Sequence, residues 1–228
     1  MPRVSACPDV RQAVLDAAQL LMERYGYKKM TIDDIASEVG IGKATIYGYF
    51  ENKQEVGLAV IDHYHAAIEA TWISIDGRDL TATEKLSQMM LSRVMYLFDV
   101  VQRYRQSLDE CFASLRPLVL TRRDYYQERE FKFLSKVIQQ GIDEGNFVCG
   151  DPLEEAKTIL TCAGGLMPLN LSPRELASRE QVIEKTSRVI DLILRAIEAD
   201  DRRNRRQTTL DEPDLELGLE PARQTTHH

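Results

Sequence analysis

The chain has 228 residues, 43% of them hydrophobic, and 29 Lys and Arg against 36 Asp and Glu give it a formal charge of −7. That length allows one or two domains with a real core and no need of disulfide staples. No run approaches the roughly 18 apolar residues of a membrane span, and the opening MPRVSACPDV has no apolar signal core, so a cytoplasmic protein with no membrane partner is expected.

From Asp9 to Tyr25, apolar residues recur at Val10, Val14, Ala17, Ala18 and Leu21, a 3.6-residue stripe that predicts a helix ended by Gly26. The stretch TIDDIASEVGIGKATIYGYFENK, residues 31–53, carries more information than any other. Thr31 and Asp34 make a capping box for a short helix. Ala36 is small where two helices must approach, and Gly40 stands where that helix ends and a positive φ is needed. Ile35, Val39, Ile41 and Ile46 bury the inner side of the turn and of a second helix opened by Gly42. A plain helical hairpin would share these features. The second helix, however, displays Lys43, Ala44, Thr45, Tyr47 and Tyr49 on its outer side, and a core hairpin has no need of such a polar face. Asn52-Lys53-Gln54-Glu55 then reads as another capping box, a helix start whose N–H groups suit a DNA phosphate, with Lys53 adding a full charge. Together these residues read as a DNA-binding helix-turn-helix.

The segment resembles the DNA-binding domain of the TetR family of transcriptional regulators, whose recognition helix ends in Tyr-x-Tyr/His-Phe before a Lys at the next helix start. Those residues are Tyr47, Tyr49, Phe50 and Lys53 here, and the match covers roughly residues 10–58. Carried over position by position, the resemblance implies that Thr31, Lys43, Thr45, Tyr47, Tyr49 and Lys53 face double-stranded DNA, while Phe50 packs inside. Gly42 and Gly48 depart from the family, standing where Ser and a larger polar residue are common. Whole-chain acidity does not oppose this reading, because the local footprint decides. Residues 1–53 balance Arg3, Arg11, Arg24, Lys28, Lys29, Lys43 and Lys53 against an equal number of acids, so the expected salt dependence is moderate.

Beyond this point every segment again predicts helix, so the fold class is all-α: an N-terminal three-helix helix-turn-helix domain joined to a larger helical ligand-binding and dimerisation domain. A long helix runs from about Lys53 to Ile75. Thr81 and Glu84 cap one that continues through Met89, Met90, Val94, Leu97, Phe98 and Val101. A shorter helix around residues 105–115 breaks at Pro117, and another spans about Leu118 to Gly141 or Gly145. Asp151-Pro152-Leu153-Glu154 opens a helix to about Met167, and the last covers about Arg179 to Ala199. The tail combines Arg202, Arg203, Arg205 and Arg206 with an acidic stretch, which predicts disorder. The domains are therefore 1–53 for DNA binding, 54–200 for ligand binding and dimerisation, and 201–228 as a tail.

In the final helix, Val182, Val189, Ile193 and Ile197 share one stripe, with Ile183, Ile190 and Leu194 on its neighbour; the helix before it offers Ile159, Leu160, Ala163 and Gly164. That band is wider than one core contact needs, and two such helices from each of two chains would make a four-helix bundle. A homodimer would read a palindromic operator. The family resemblance further implies an effector pocket, with Met89, Tyr96, Phe98, Tyr104, Cys111, Phe112, Tyr125, Cys162 and Met167 as candidates and a small apolar or amphipathic molecule as its occupant. The cysteines Cys7, Cys111, Cys149 and Cys162 form no CxxC pair, so no zinc ribbon is expected, and Cys162 is expected to be buried. His63 and His65, two apart, point to different helix faces. No catalytic motif stands out, so the expectation is a repressor without cofactor or metal. The alternatives are a TetR-like protein-binding adaptor or nucleoid factor, and a thiol redox sensor centred on Cys149.

Overall fold

The computed structural model describes residues 9–103, 108–164 and 178–199. Tyr104, Met167 and the tail from 201 lie outside the described residues, as do the side chains of Cys111 and Phe112. Among the described residues the order is α1 (Val10–Tyr25), α2 (Ile32–Val39), α3 (Lys43–Tyr47), α4 (Lys53–Asp76), α5 (Ala82–Arg103), α6 (Leu108–Asp143), α7 (Pro152–Gly164) and α8 (Arg179–Ile197). The all-α class is the observed one.

The helix ends follow local chemistry. The Asp9 carboxylate accepts from the Arg11 N–H at 3.0 Å and opens α1, and Gly26 closes it with φ 88°. Thr31 and Asp34 form a reciprocal capping box at the start of α2. Gly40 ends α2 in the left-handed region at φ 75°, where its N–H and that of Ile41 both donate to the Ala36 carbonyl. At α4 the Asn52 side chain accepts from the Glu55 N–H at 3.0 Å, but the Glu55 carboxylate accepts from Glu51 rather than from Asn52 itself.

Pro117 does not divide a helix. α6 runs through it, joining what the sequence separates into segments at 105–115 and 118 onwards. The missing N–H removes one hydrogen bond at a cost of about 3 kcal/mol, which the packing of α6 on α4, α5 and α7 outweighs. Most of the buried apolar side chains form one contiguous cluster from Val14 to Ile197. α4 packs against α1, α5 and α6, and so connects the helix-turn-helix to the rest. The indole N–H of Trp72 on α4, the sole tryptophan, donates to the Met89 carbonyl of α5 at 2.9 Å.

α8 turns Val182, Thr186, Ile190, Leu194 and Ile197 inward. α7 likewise buries Ala156, Ile159, Leu160 and Ala163. Of the residues expected at a dimer surface, Ile159, Ala163, Val182, Ile190 and Ile197 are thus covered by the chain's own helices, through packing of α7 on α6 and α8 on α5. Ile183, Val189 and Ile193 are half-buried at the edge of that face, and Leu192 is 65% exposed. Cys162 is exposed, contrary to expectation, because it lies on the side of α7 opposite the inward residues.

A backbone clasp holds the far end. The Val148 N–H donates to the Ile197 carbonyl at 2.7 Å, and the Ala199 N–H donates to Asn146 at 3.1 Å, around an isolated antiparallel bridge between Phe147 and Glu198. Phe147 is buried against Gly141, whose missing Cβ leaves room for the ring.

Candidate nucleic-acid interface and effector cavity

α3 has five residues, too few to stand as an isolated helix. Ile46, fully buried, anchors it, a burial worth about 1.5–3 kcal/mol. With that side fixed, Lys43, Ala44, Thr45, Tyr47 and Tyr49 are all exposed, the two tyrosines at 51% and 50%. Phe50, immediately after them, is buried, and the Arg11 guanidinium lies 5.4 Å from its ring centroid. Lys43, Ala44, Thr45, Tyr47 and Tyr49 thus share the exposed side of α3 and of the turn after it, while Thr31 is exposed at the start of α2 and Lys53 half-buried at the start of α4.

Three of them carry commitments that the sequence does not reveal. The Thr31 hydroxyl donates to the Asp34 carboxylate at 2.7 Å and accepts from the Asp34 N–H, so it is occupied as a cap. The Thr31 hydroxyl and the Thr31 backbone N–H, both donating to that carboxylate, hold it below the usual carboxylate range. Lys43 Nζ lies 2.5 Å from the Asp33 carboxylate, and this hydrogen bond raises the Lys43 pKa. Lys53 Nζ donates to the Lys28 carbonyl at 3.0 Å and sits 4.6 Å from the Tyr27 ring centroid. That ammonium fastens the first turn of α4 to the loop before α2. Lys28 and Lys29, on the same loop, are exposed.

A cavity of about 310 Å³ opens between α4 and α6, at the small end of the range for ligand sites. Trp72, Tyr126 and Phe133 form its apolar wall. His65 stacks on Tyr126 with ring centroids 3.7 Å apart, and burial pushes its pKa down to about 4, so the imidazole is neutral. Two ion pairs cross from helix to helix at the mouth: Arg122 to Asp62 at 3.2 Å and Arg129 to Glu69 at 2.6 Å. Beneath them the Arg93 guanidinium holds both oxygens of Glu130, at 3.0 and 2.9 Å. The Tyr126 hydroxyl is buried with no hydrogen-bond partner among the described residues.

Of the expected effector residues whose side chains are described, only Tyr125 lines this cavity. Met89, Tyr96 and Phe98 are buried in the core of α5 instead, and burial pushes the Tyr96 phenol up to about 12. The cavity is lined by charges and aromatics of α4 and α6, residues that the sequence offers as ordinary helix surface. The spacing of Asp62 and Glu69, matched by Arg122 and Arg129, is the signal that could have found it: each pair lies seven residues apart, on one face of its helix.

Comparison with known proteins bears on this geometry. Residues 14–60 match the family model described as bacterial regulatory proteins, tetR family. The chain carries a TetR-family DNA-binding domain. Such a domain is the DNA-binding helix-turn-helix of a transcriptional regulator, and α2 and α3 lie within it. The uncharacterised HTH-type regulator YfiR of Bacillus subtilis is 26% identical over 170 residues, covering 70% of this chain and 79% of its own. A transcriptional regulator from Cytophaga hutchinsonii has the same fold, with a TM-score of 0.69 at 22% identity, covering 84% of this chain and all of its own. SmeT, repressor of the Stenotrophomonas maltophilia multidrug efflux pump SmeDEF, has been solved with triclosan. It superposes with a TM-score of 0.61 at 18% identity over 85% of this chain and 93% of SmeT. Among the described residues no helix is long and apolar enough to cross a membrane.

Proposed function

We propose that this TetR-family chain is a dimeric, sequence-specific regulator, a repressor that holds a palindromic operator through residues 1–53 and releases it when a small amphipathic effector enters residues 54–200. The observation that carries the reading is the exposed run of Lys43, Ala44, Thr45, Tyr47 and Tyr49 above a fully buried Ile46. Such a display needs a partner with acceptors and phosphates, and a short helix projecting polar ends fits the DNA major groove.

Dimerisation is supported by the exposed Leu192 beside half-buried Val189 and Ile193 on α8. One α3 reads few bases, and two-fold pairing doubles the site. Effector control is supported by the cavity between α4 and α6 and by the triclosan complex of SmeT. A ligand shifts DNA affinity only by its differential affinity for the two states, and α4 is the helix through which that difference would act. An adaptor or nucleoid factor would have no use for an open cavity. A redox sensor fits less well, because burial and Glu155 push the Cys149 thiol up, away from the reactive thiolate.

The deciding experiment is selection of random duplex DNA on the purified protein at moderate salt. A recovered palindrome establishes the sequence-specific dimer. Retention without sequence preference, from folded dimeric protein, would sink the operator reading and favour the adaptor.

A further inference from the structure

The chemistry of the α4–α6 cavity restricts what it can hold, given that it is the effector site as read above. Its three carboxylates are already matched by arginine: Glu130 by both arms of Arg93, Glu69 through both oxygens by Arg129, and Asp62 by Arg122. A cationic guest would have to strip a guanidinium from one of them. The donors are less fully used. Arg122 reaches Asp62 with one terminal nitrogen, and Arg129 spends its two on Glu69 and the Tyr125 hydroxyl, so each keeps N–H groups with no acceptor among the described residues. The Tyr126 hydroxyl, on a side chain more than nine-tenths buried, is a further donor with no partner there. Spare donors beside an aromatic wall suit a guest that brings acceptors and a ring.

We propose that this cavity takes an aromatic carboxylic acid, bound as its carboxylate, whose oxygens replace Asp62 and Glu69 on Arg122 and Arg129 while its ring lies against Trp72. Arg122 and Arg129 are two turns apart on one face of α6, so one guest can reach either or both. A guanidinium receives a free carboxylate in the same bidentate geometry as a side-chain one. Asp62 yields most readily, since burial disfavours its charge and holds its pKa up despite Arg122. The exchange cuts the two ties between α4 and α6, and α4 carries the DNA-reading end of the molecule.

Trp72, the sole tryptophan, reports from the cavity wall. The test titrates the full chain with 3-phenylpropionate, 3-phenylpropanamide and 3-phenylpropylamine, following tryptophan emission. The acid is expected to saturate and to bind about tenfold or more tighter than the amide and the amine. In R122Q/R129Q that preference disappears while weak amide binding stays. In D62N/E69Q, which removes the internal competitors, the acid binds tighter than to the parent chain. This last variant separates guest recognition from a structural role, since loss of cross-helix ties alone would not raise affinity for an anion. Equal or better binding of the amine overturns the acid assignment and leaves the effector site intact. No response to any of the three overturns it as well, with operator selection still judging the regulator reading independently.

Discussion

The Lys43 ammonium, at the first residue of α3, rests 2.5 Å from the Asp33 carboxylate in the first turn of the helix before it. Both side chains are more than half exposed, at 53% and 64%, so solvent screens the pair and it contributes little to stability. Its weight falls on DNA, because a phosphate that recruits Lys43 must compete with Asp33. We expect Asp33→Asn to tighten DNA binding and to steepen its salt dependence by about one phosphate contact, with the melting temperature nearly unchanged. An unchanged slope in a salt titration would mean that Lys43 does not meet the backbone.

Tyr47 is half exposed at the end of α3, and nothing in the core depends on it. Tyr47→Ala should weaken operator binding by at least about 1 kcal/mol, the lower end for losing a specific contact. Circular-dichroism melting should be unaffected. A large fall in melting temperature would place the ring in the fold rather than at the groove.

The structural tie made by Lys53 and its proposed phosphate contact can be measured apart. Lys53→Met keeps the aliphatic stem but loses the hydrogen bond to the Lys28 carbonyl and the charge over Tyr27, which should cost about 1 kcal/mol of stability. If the ammonium also meets a phosphate, the salt slope of DNA binding falls by about one. A lower melting temperature with an unchanged slope would confine Lys53 to the tie.

Gly141 lies so close to the Phe147 ring that a Cβ there would sit 2.1 Å from it. Gly141→Ala should therefore destabilise by about 1–3 kcal/mol through overpacking. Adding Phe147→Leu should recover part of the loss, and denaturant unfolding of the single and double variants checks both.

His65 ties stability to pH. Its folded pKa of about 4 lies below the ordinary 6.5, so the unfolded chain binds the proton first as pH falls. The contribution is complete above pH 6.5 and declines towards pH 4, by up to about 3 kcal/mol for this one group. His65→Phe should flatten that part of the stability profile while keeping the stack on Tyr126. A profile of the same slope in the variant would assign the pH dependence elsewhere.

The helix-turn-helix was legible because its determinants are local. Thr31, Asp34, Gly40 and Asn52 act within a few residues of themselves, so spacing alone predicts their bonds, except that the Glu55 carboxylate turns to the Glu51 N–H instead of closing the Asn52 box. What lay further apart in the chain was not legible. The carbonyl partner of Lys53 is 25 residues away and that of Trp72 is 17 away. The cavity arises from charges on α4 and α6 that are 60 residues apart and read singly as solvated surface. Periodicity marked Met89, Tyr96 and Phe98 as apolar but could not tell a cavity wall from a filled core, since both ask for the same residues. Pro117 misled for a related reason: its local cost is real, and only the tertiary packing of α6 exceeds it.

The unbroken course of α4 has a geometrical consequence. Its 24 residues span about 36 Å at 1.5 Å per residue. A pivot of about 5° at its Asp76 end would sweep Lys53 sideways by about 3 Å, close to the roughly 3.4 Å of helix axis per phosphate on one DNA strand. At this length, a change no larger than a side-chain rearrangement at one end of α4 would become, at the other, a displacement on the scale of one base pair.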